Sequence, residues 1–268
     1  MPETLSTSQT RIAYNIAGNG PVDVLFMHGW AGSGAYFDDV VQHLDLTSLR
    51  AITFDLRGHG NSAPALSGYG LDELAADAIS VADAARADRF VLVGFSMSAK
   101  FAQYVTSLHH DRVLGQVLVA GCPVGELAMP AEMLADWYGR AGDPNQMIDL
   151  VRQYATAPIP EEVLQRFGRR AATVPLAALQ GTMNAVTSTS FVVKTGAATV
   201  PTLIIGGQND PLFTPELLRE GVATPIADAE LQLLDCGHEI PVERPAELAR
   251  MIQTFTANTA QSRSQYVN

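Results

Sequence analysis

Phe90-Val91-Leu92-Val93-Gly94-Phe95-Ser96-Met97-Ser98 is a β-branched apolar run that meets a glycine and then a serine. Apolar residues at helical spacing continue from Met97 to Leu108. Gly94-Phe95-Ser96-Met97-Ser98 is one residue short of G-x-S-x-G, the sharp strand-to-helix turn that lifts a serine hydroxyl clear of a sheet. Gly94 lets strand and helix come close, and a helix N-terminus behind Ser96 favours negative charge. Taken alone, the five residues also suit a serine N-cap after a strand.

Runs of the same kind lie on either side. Val22–Met27 leads into Gly29 and Gly32, Ala51–Phe54 into Gly58 and Gly60, and Gln116–Val119 into Gly121. Thr202–Ile205 leads into Gly206-Gly207, and Leu231–Leu234 into Gly237. Near-continuous apolar strands alternating with helical stretches, such as Leu71–Ala87 and the stretch opened by Pro245, predict an α/β fold. Its central sheet is mostly parallel, with helices on both faces. Residues 1–17 suggest an edge hairpin, and the polar tail from Ala257 is expected to fray. Residues 123–199 hold no strand-like run. Helical patterns there are punctuated by Pro130, Pro144, Pro158, Pro160 and Pro175, which predicts a helical insertion between two strands. Met129, Met133, Met147, Met183 and Trp137 within it are core residues, some of which also suit a pocket wall.

A serine hydroxyl is a weak nucleophile unless a base takes its proton and a third group orients the base. Asp210 follows the Thr202–Ile205 run, and His238 follows Leu231–Leu234. Alone, Asp210 reads as a turn residue before Pro211 and His238 as a loop histidine. Together they follow Ser96 in the order nucleophile, acid, base, at carboxyl ends of strands where ligands bind in open α/β sheets. Backbone donors for a developing oxyanion would be the N–H groups of Met97 and Trp30, the latter in His28-Gly29-Trp30. Trp30, Met133 and Trp137 are candidate substrate contacts, and His28 reads as structural. Lys100, one helical turn past Ser96, suits a snorkelled or salt-bridged helix lysine, or a pocket cation.

His28-Gly29-Trp30, Asp55-Leu56-Arg57-Gly58-His59-Gly60-Asn61-Ser62, the serine turn, Asp210, and Gly237-His238 with Glu243-Arg244-Pro245 together resemble the α/β-hydrolase fold superfamily. The resemblance runs from about Arg11 to Phe255. It implies a Ser96–His238–Asp210 triad acting through an acyl-enzyme on a small-molecule ester or lactone, an acyl-homoserine lactone among the candidates, with no cofactor. It also implies a core of residues 1–122 and 200–268 under a cap of residues 123–199. Carbon–carbon bond hydrolysis uses the same triad. Ser98 departs from the expected glycine and is similar to G-x-S-x-S in plant hormone receptors of the superfamily, which keeps a ligand receptor as a second class. The loop at Arg57-Gly58-His59-Gly60 also resembles bacterial perhydrolases, which have little or no cap, so the length of 123–199 counts against them. Dehalogenases and epoxide hydrolases need aspartate at Ser96.

Composition sets outer limits. The 268 residues are 47% apolar and 17% charged, enough for a large core. A net charge of -11 argues against nucleic acid or an anionic membrane as partner. No apolar run nears the ~18 residues of a membrane span. No secretory signal is visible, and Cys122 and Cys236 form no disulfide pattern, so a reduced cytoplasmic setting is expected. A homodimer is compatible with all of this. Gly58-His59-Gly60-Asn61-Ser62-Ala63 fits G-x-G-x-x-A, but Pro64 and Gly68 follow and no helix opens there, which excludes a dinucleotide loop. The histidines lack metal-ligand spacing, so no metal site is expected.

Overall fold

The structure is a computed structural model, described over residues 2–7, 10–65, 68–194 and 196–264, with side chains as far as residue 260. Among these residues one sheet has eight strands: β1 Glu3–Ser6, β2 Arg11–Ala17, β3 Val22–Met27, β4 Leu49–Phe54, β5 Phe90–Phe95, β6 Val113–Val119, β7 Thr202–Gly207 and β8 Glu230–Leu234. Their order is β1-β2-β4-β3-β5-β6-β7-β8. The β1–β2 and β2–β4 pairs are antiparallel, and every other pair is parallel. Each apolar run of the sequence is a strand, and the opening hairpin is present.

The helices are α1 Asp38–Gln42, α2 Leu71–Ala84, α3 Met97–His109, α4 Ala131–Gly139, α5 Pro144–Tyr154, α6 Glu161–Ala171, α7 Leu176–Thr187, α8 Pro215–Leu217, α9 Ile240–Glu243 and α10 Pro245–Ser264. Side chains alternate across a strand, so Leu25 and Met27 of β3 enter one core with Leu74, Val81, Phe101 and Val105 of α2 and α3. Val24 and Phe26 enter the other, with Phe37, Val40, Leu248 and Ile252. Both faces of the central strands are covered, which is why those strands are nearly continuously apolar. Each fully buried Leu, Ile or Phe contributes ~1.5–3 kcal/mol, so the strand ends that carry the site stand on a stiff base.

The stretch between β6 and β7 contains α4 to α7. Pro130, Pro160 and Pro175 stand immediately before α4, α6 and α7, and Pro144 is the first residue of α5. Proline is tolerated at these positions and not in a helix interior. Asp143 caps α5 by accepting from the backbone N–H groups of Asn145 (2.9 Å) and Gln146 (3.2 Å). Trp137, Met147, Leu150, Leu179 and Met183 of these helices pack together with Trp30.

Two expectations meet a structural reason. The tail does not fray at Ala257: α10 runs to Ser264. Thr256 and Thr259 are buried, and the Thr259 hydroxyl donates to the Phe255 carbonyl at 2.9 Å. Polar letters thus hid a packed helix, in which Thr259 bonds back to the preceding turn while the buried Thr256 hydroxyl has no partner among the described residues. The Asp55–Ser62 segment is a fold-building turn. The Asp55 carboxylate accepts from Gly34 N–H and Asn61 N–H, both at 2.7 Å, and the buried Arg57 guanidinium grips Asp77 through two bonds. The next helix starts only at Leu71, so no helix N-terminus faces the glycines.

Candidate active site

Ser96 sits between β5 and α3 with φ 55 and ψ −118, a left-handed conformation that is strained for a residue with a Cβ. The turn is held by Ser96 N–H donating to Val119 O (2.8 Å) and Ala99 N–H donating to Ser96 O (3.0 Å). A Cβ on Gly94 would strike the Ser98 carbonyl and lie 2.9 Å from Ala102 Cβ, so the close strand–helix crossing requires glycine there. Ser98 is fully buried, and its hydroxyl donates to the His28 carbonyl at 2.5 Å. The departure from glycine therefore adds a tie from α3 to the His28-Gly29-Trp30 loop.

The structure brings Ser96, His238 and Asp210 into one hydrogen-bonded row. His238 Nε2 lies 2.9 Å from Ser96 Oγ, and Nδ1 lies 2.7 Å from Asp210 Oδ2. An ionised Asp210 can only accept, so Nδ1 carries the proton and Nε2 is free to accept one from the serine. Asp210 Oδ1 accepts from the N–H groups of Leu212 (2.8 Å) and Phe213 (3.0 Å). The turn role and the orienting role thus fall to separate oxygens of one carboxylate. The rings of Phe95 and Phe213 lie 5.5 and 5.4 Å from the imidazole and confine it. Burial pulls the His238 pKa down, but the Asp210 carboxylate, with Glu239 and Glu243, outweighs it, and the net value lies above the usual one.

The loop that carries His238 is fastened by Glu243. This buried carboxylate accepts from Gly237 N–H (3.0 Å) and Glu239 N–H (2.9 Å), on either side of His238. It also accepts from Thr156 N–H (2.8 Å) and Ala157 N–H (2.6 Å), just after α5. His238 N–H itself donates to Tyr154 O at 2.8 Å. One side chain therefore joins the histidine loop to the helices inserted between β6 and β7.

Met97 opens α3, so its N–H has no acceptor within the helix. Trp30 N–H makes no hydrogen bond among the described residues. Both backbone donors proposed from the sequence are therefore unspent. The Trp30 indole N–H donates to Leu179 O (3.0 Å) and its ring leans on Trp137 (5.3 Å). His28 is structural, as expected: Nδ1 donates to Gly29 O, Nε2 accepts from Leu56 N–H, and burial lowers its pKa to about 4.

Two hollows meet at Ser96. One, of about 500 Å³, is lined by Tyr36, Phe95, Met147, Tyr154, His238 and Glu239. The other, of about 660 Å³, is lined by Met97, Met129, Met133, Met183, Cys122 and Phe213. Trp30, Trp137 and Leu212 border both. Trp30, Met133 and Trp137, the sequence-based contacts, are thus wall residues. Tyr36 and Glu239 were missed, because nothing in the spacing links residues so far apart, although a carboxylate beside His238 was a visible signal. Lys100 is neither snorkelled nor a pocket cation. It is buried, and its ammonium donates to Gly125 O (2.7 Å), Val186 O (2.7 Å) and Thr189 O (2.5 Å). Cys236 is buried with its thiol pushed up to about 12, which makes it inert. Among the described residues no group of three or more His, Cys, Asp or Glu could hold a metal ion, and no helix is long and apolar enough to cross a membrane.

A model of the alpha/beta hydrolase family matches residues 24–251. A non-heme haloperoxidase of Rhodococcus erythropolis is 27% identical over 256 residues, covering 87% of this chain and 90% of the relative. A 3-oxoadipate enol-lactonase of Acinetobacter baylyi is 23% identical, covering 81% and 79%. The structure of an esterase from Exiguobacterium antarcticum superposes with a TM-score of 0.83 at 20% identity, covering 96% of this chain and all of that one. The haloperoxidase match spans nearly the full length of both chains, so the length of 123–199 does not set this chain apart from that relative.

Proposed function

The chain belongs to the alpha/beta hydrolase family, and from that premise we propose that it hydrolyses a small carboxylic ester or lactone through an acyl-enzyme on Ser96. The row Ser96–His238–Asp210 carries the reading. Ser96 Oγ attacks the carbonyl carbon as its proton passes to His238 Nε2. The N–H groups of Trp30 and Met97 receive the oxyanion. His238 returns the proton to the departing alcohol oxygen, and water, activated by the same imidazole, releases the acid and restores Ser96. Asp210 holds the tautomer and stabilises the imidazolium. The helices between β6 and β7 act as a cap. No cofactor is called for.

The two hollows divide the substrate. The departing alcohol must reach His238, which lines the first, so the alcohol half lies there and the acyl half lies in the methionine-lined second. An apolar wall rich in adaptable methionine suits an alkyl chain or ring, and an acyl-homoserine lactone belongs among the substrates to try.

A p-nitrophenyl ester series from acetate to laurate, run beside Ser96→Ala, tests this. Serine-dependent turnover with a chain-length optimum is expected. Activity that survives in a folded Ser96→Ala protein would refute the reading. The base must be neutral and its pKa is raised, so kcat/KM should fall on an acid limb lying above the ordinary imidazole value of 6.5. The haloperoxidase relative favours a second reading, in which hydrogen peroxide replaces water at the acyl-enzyme and yields the peracid. Peracid formed on adding peroxide would distinguish it.

A further inference from the structure

Besides Ser96, His238 and the two indoles, the polar side chains lining the first hollow are Tyr154, whose hydroxyl accepts from the Trp137 indole N–H at 3.2 Å, and a Tyr36–Glu239 pair. There the Tyr36 hydroxyl donates to Glu239 Oε2. Both side chains are buried, at 7% and 8% exposure, and both line the hollow beside Ser96 and His238. Glu239 Oε1 has no hydrogen-bond partner among the described residues, and no Lys or Arg pairs with this carboxyl there. The Tyr36 ring is fixed by stacking on Phe95 at 5.5 Å and 18°, so the pair is held rather than loose. Oε1 is not among the buried unpartnered atoms of the described residues, so it opens on the hollow, where a ligand that supplies a donor takes the place of solvent on a largely desolvated carboxyl.

Resting on the hydrolase reading and its placement of the alcohol half, we infer that Tyr36 and Glu239 form a recognition point for a hydrogen-bond donor on the alcohol half of the substrate. The substrate class is then the monoester of a diol or polyol. Its second hydroxyl donates to Glu239 Oε1, while a plain alkyl alcohol leaves that oxygen bare. Sites built to bond a hydroxyl reject the analogue that lacks it far better than apolar pockets reject an extra methylene.

The test compares ethylene glycol monobutyrate with propyl butyrate, whose alcohol halves have equal length and differ by hydroxyl against methyl. Acid release is titrated for the wild type, Glu239→Gln, and the double variant Tyr36→Phe/Glu239→Leu. The double variant removes both polar groups together, which avoids stranding either one. The wild type should favour the glycol ester in kcat/KM by about tenfold, the worth of one good hydrogen bond. Glu239→Gln, which keeps an acceptor oxygen, should retain part of that ratio, and the double variant should bring it to about one. Equal rates on both esters in the wild type, or an unchanged ratio in a folded double variant, overturn this inference alone, provided turnover still requires Ser96. If Glu239 only tuned His238, both rates would move together and the ratio would stand, which also overturns it. No Ser96-dependent turnover of any ester overturns the hydrolase reading and this inference with it.

Discussion

At the scale of single residues, Ser98 bears most directly on whether this protein turns over. The sequence leaves a small residue with no assigned task where glycine is expected. In the fold its hydroxyl holds the His28 carbonyl, one peptide before the Gly29-Trp30 segment whose N–H is proposed to receive the oxyanion. A hydrogen bond of this sort is worth ~1 kcal/mol, and its larger consequence is the position of the donor. Ser98→Ala is expected to lower kcat about fivefold to tenfold with KM little changed, because the oxyanion forms only in the transition state. Stopped assays on a p-nitrophenyl ester would measure this. Wild-type kcat in the variant would detach Ser98 from turnover. The strain at Ser96 belongs to the same scale: ~1–3 kcal/mol is held in a backbone conformation that β5 and α3 jointly impose.

At the scale of elements, two buried charges hold the inserted helices to the sheet. Glu243 does so from the histidine loop, by accepting four backbone N–H groups. Lys100 does so from α3, by donating to three carbonyls at and beyond the end of α7 and after β6. Among the described residues these carbonyls accept no other hydrogen bond outside the helices, so Lys100→Met would strand them at ~1–3 kcal/mol each. Urea unfolding of Lys100→Met should show a loss of about 3 kcal/mol or more at unchanged m. The optimum in ester chain length should blur, because Val186 at the end of α7 lines the hollow proposed for the acyl half. Unaltered stability and an unaltered optimum would show that the ammonium does not secure these helices.

At the scale of the whole molecule, the sheet was legible in the sequence because both its faces are covered. Burial on two sides makes Phe90–Phe95 apolar throughout and Val22–Met27 apolar at every position but Asp23, and a glycine lies in or just after each run. Ser96, Asp210 and His238 could be paired on paper because parallel strands deliver their carboxyl ends to one edge, whatever lies between them in sequence. Other features depend on packing that no periodicity encodes. The threonines of α10 look like a solvated tail. Lys100 looks like a surface lysine. Tyr36 and Glu239 meet across 203 positions of chain. The shape of the two hollows depends on how α4 to α7 settle over the strand ends, and prolines mark where those helices begin without saying how they pack.

Hydrolysis through an acyl-enzyme requires a covalent bond between Ser96 and the acyl group. The most direct measurement is a rapid quench of the wild-type protein with p-nitrophenyl butyrate, followed by the intact mass and the masses of its peptides, with Ser96→Ala beside it. The expected result is a burst of p-nitrophenol approaching one equivalent where deacylation is the slower step, and a butyryl group on Ser96 that the variant lacks. Turnover with no acyl group on the protein, or with the group on another residue, would contradict it.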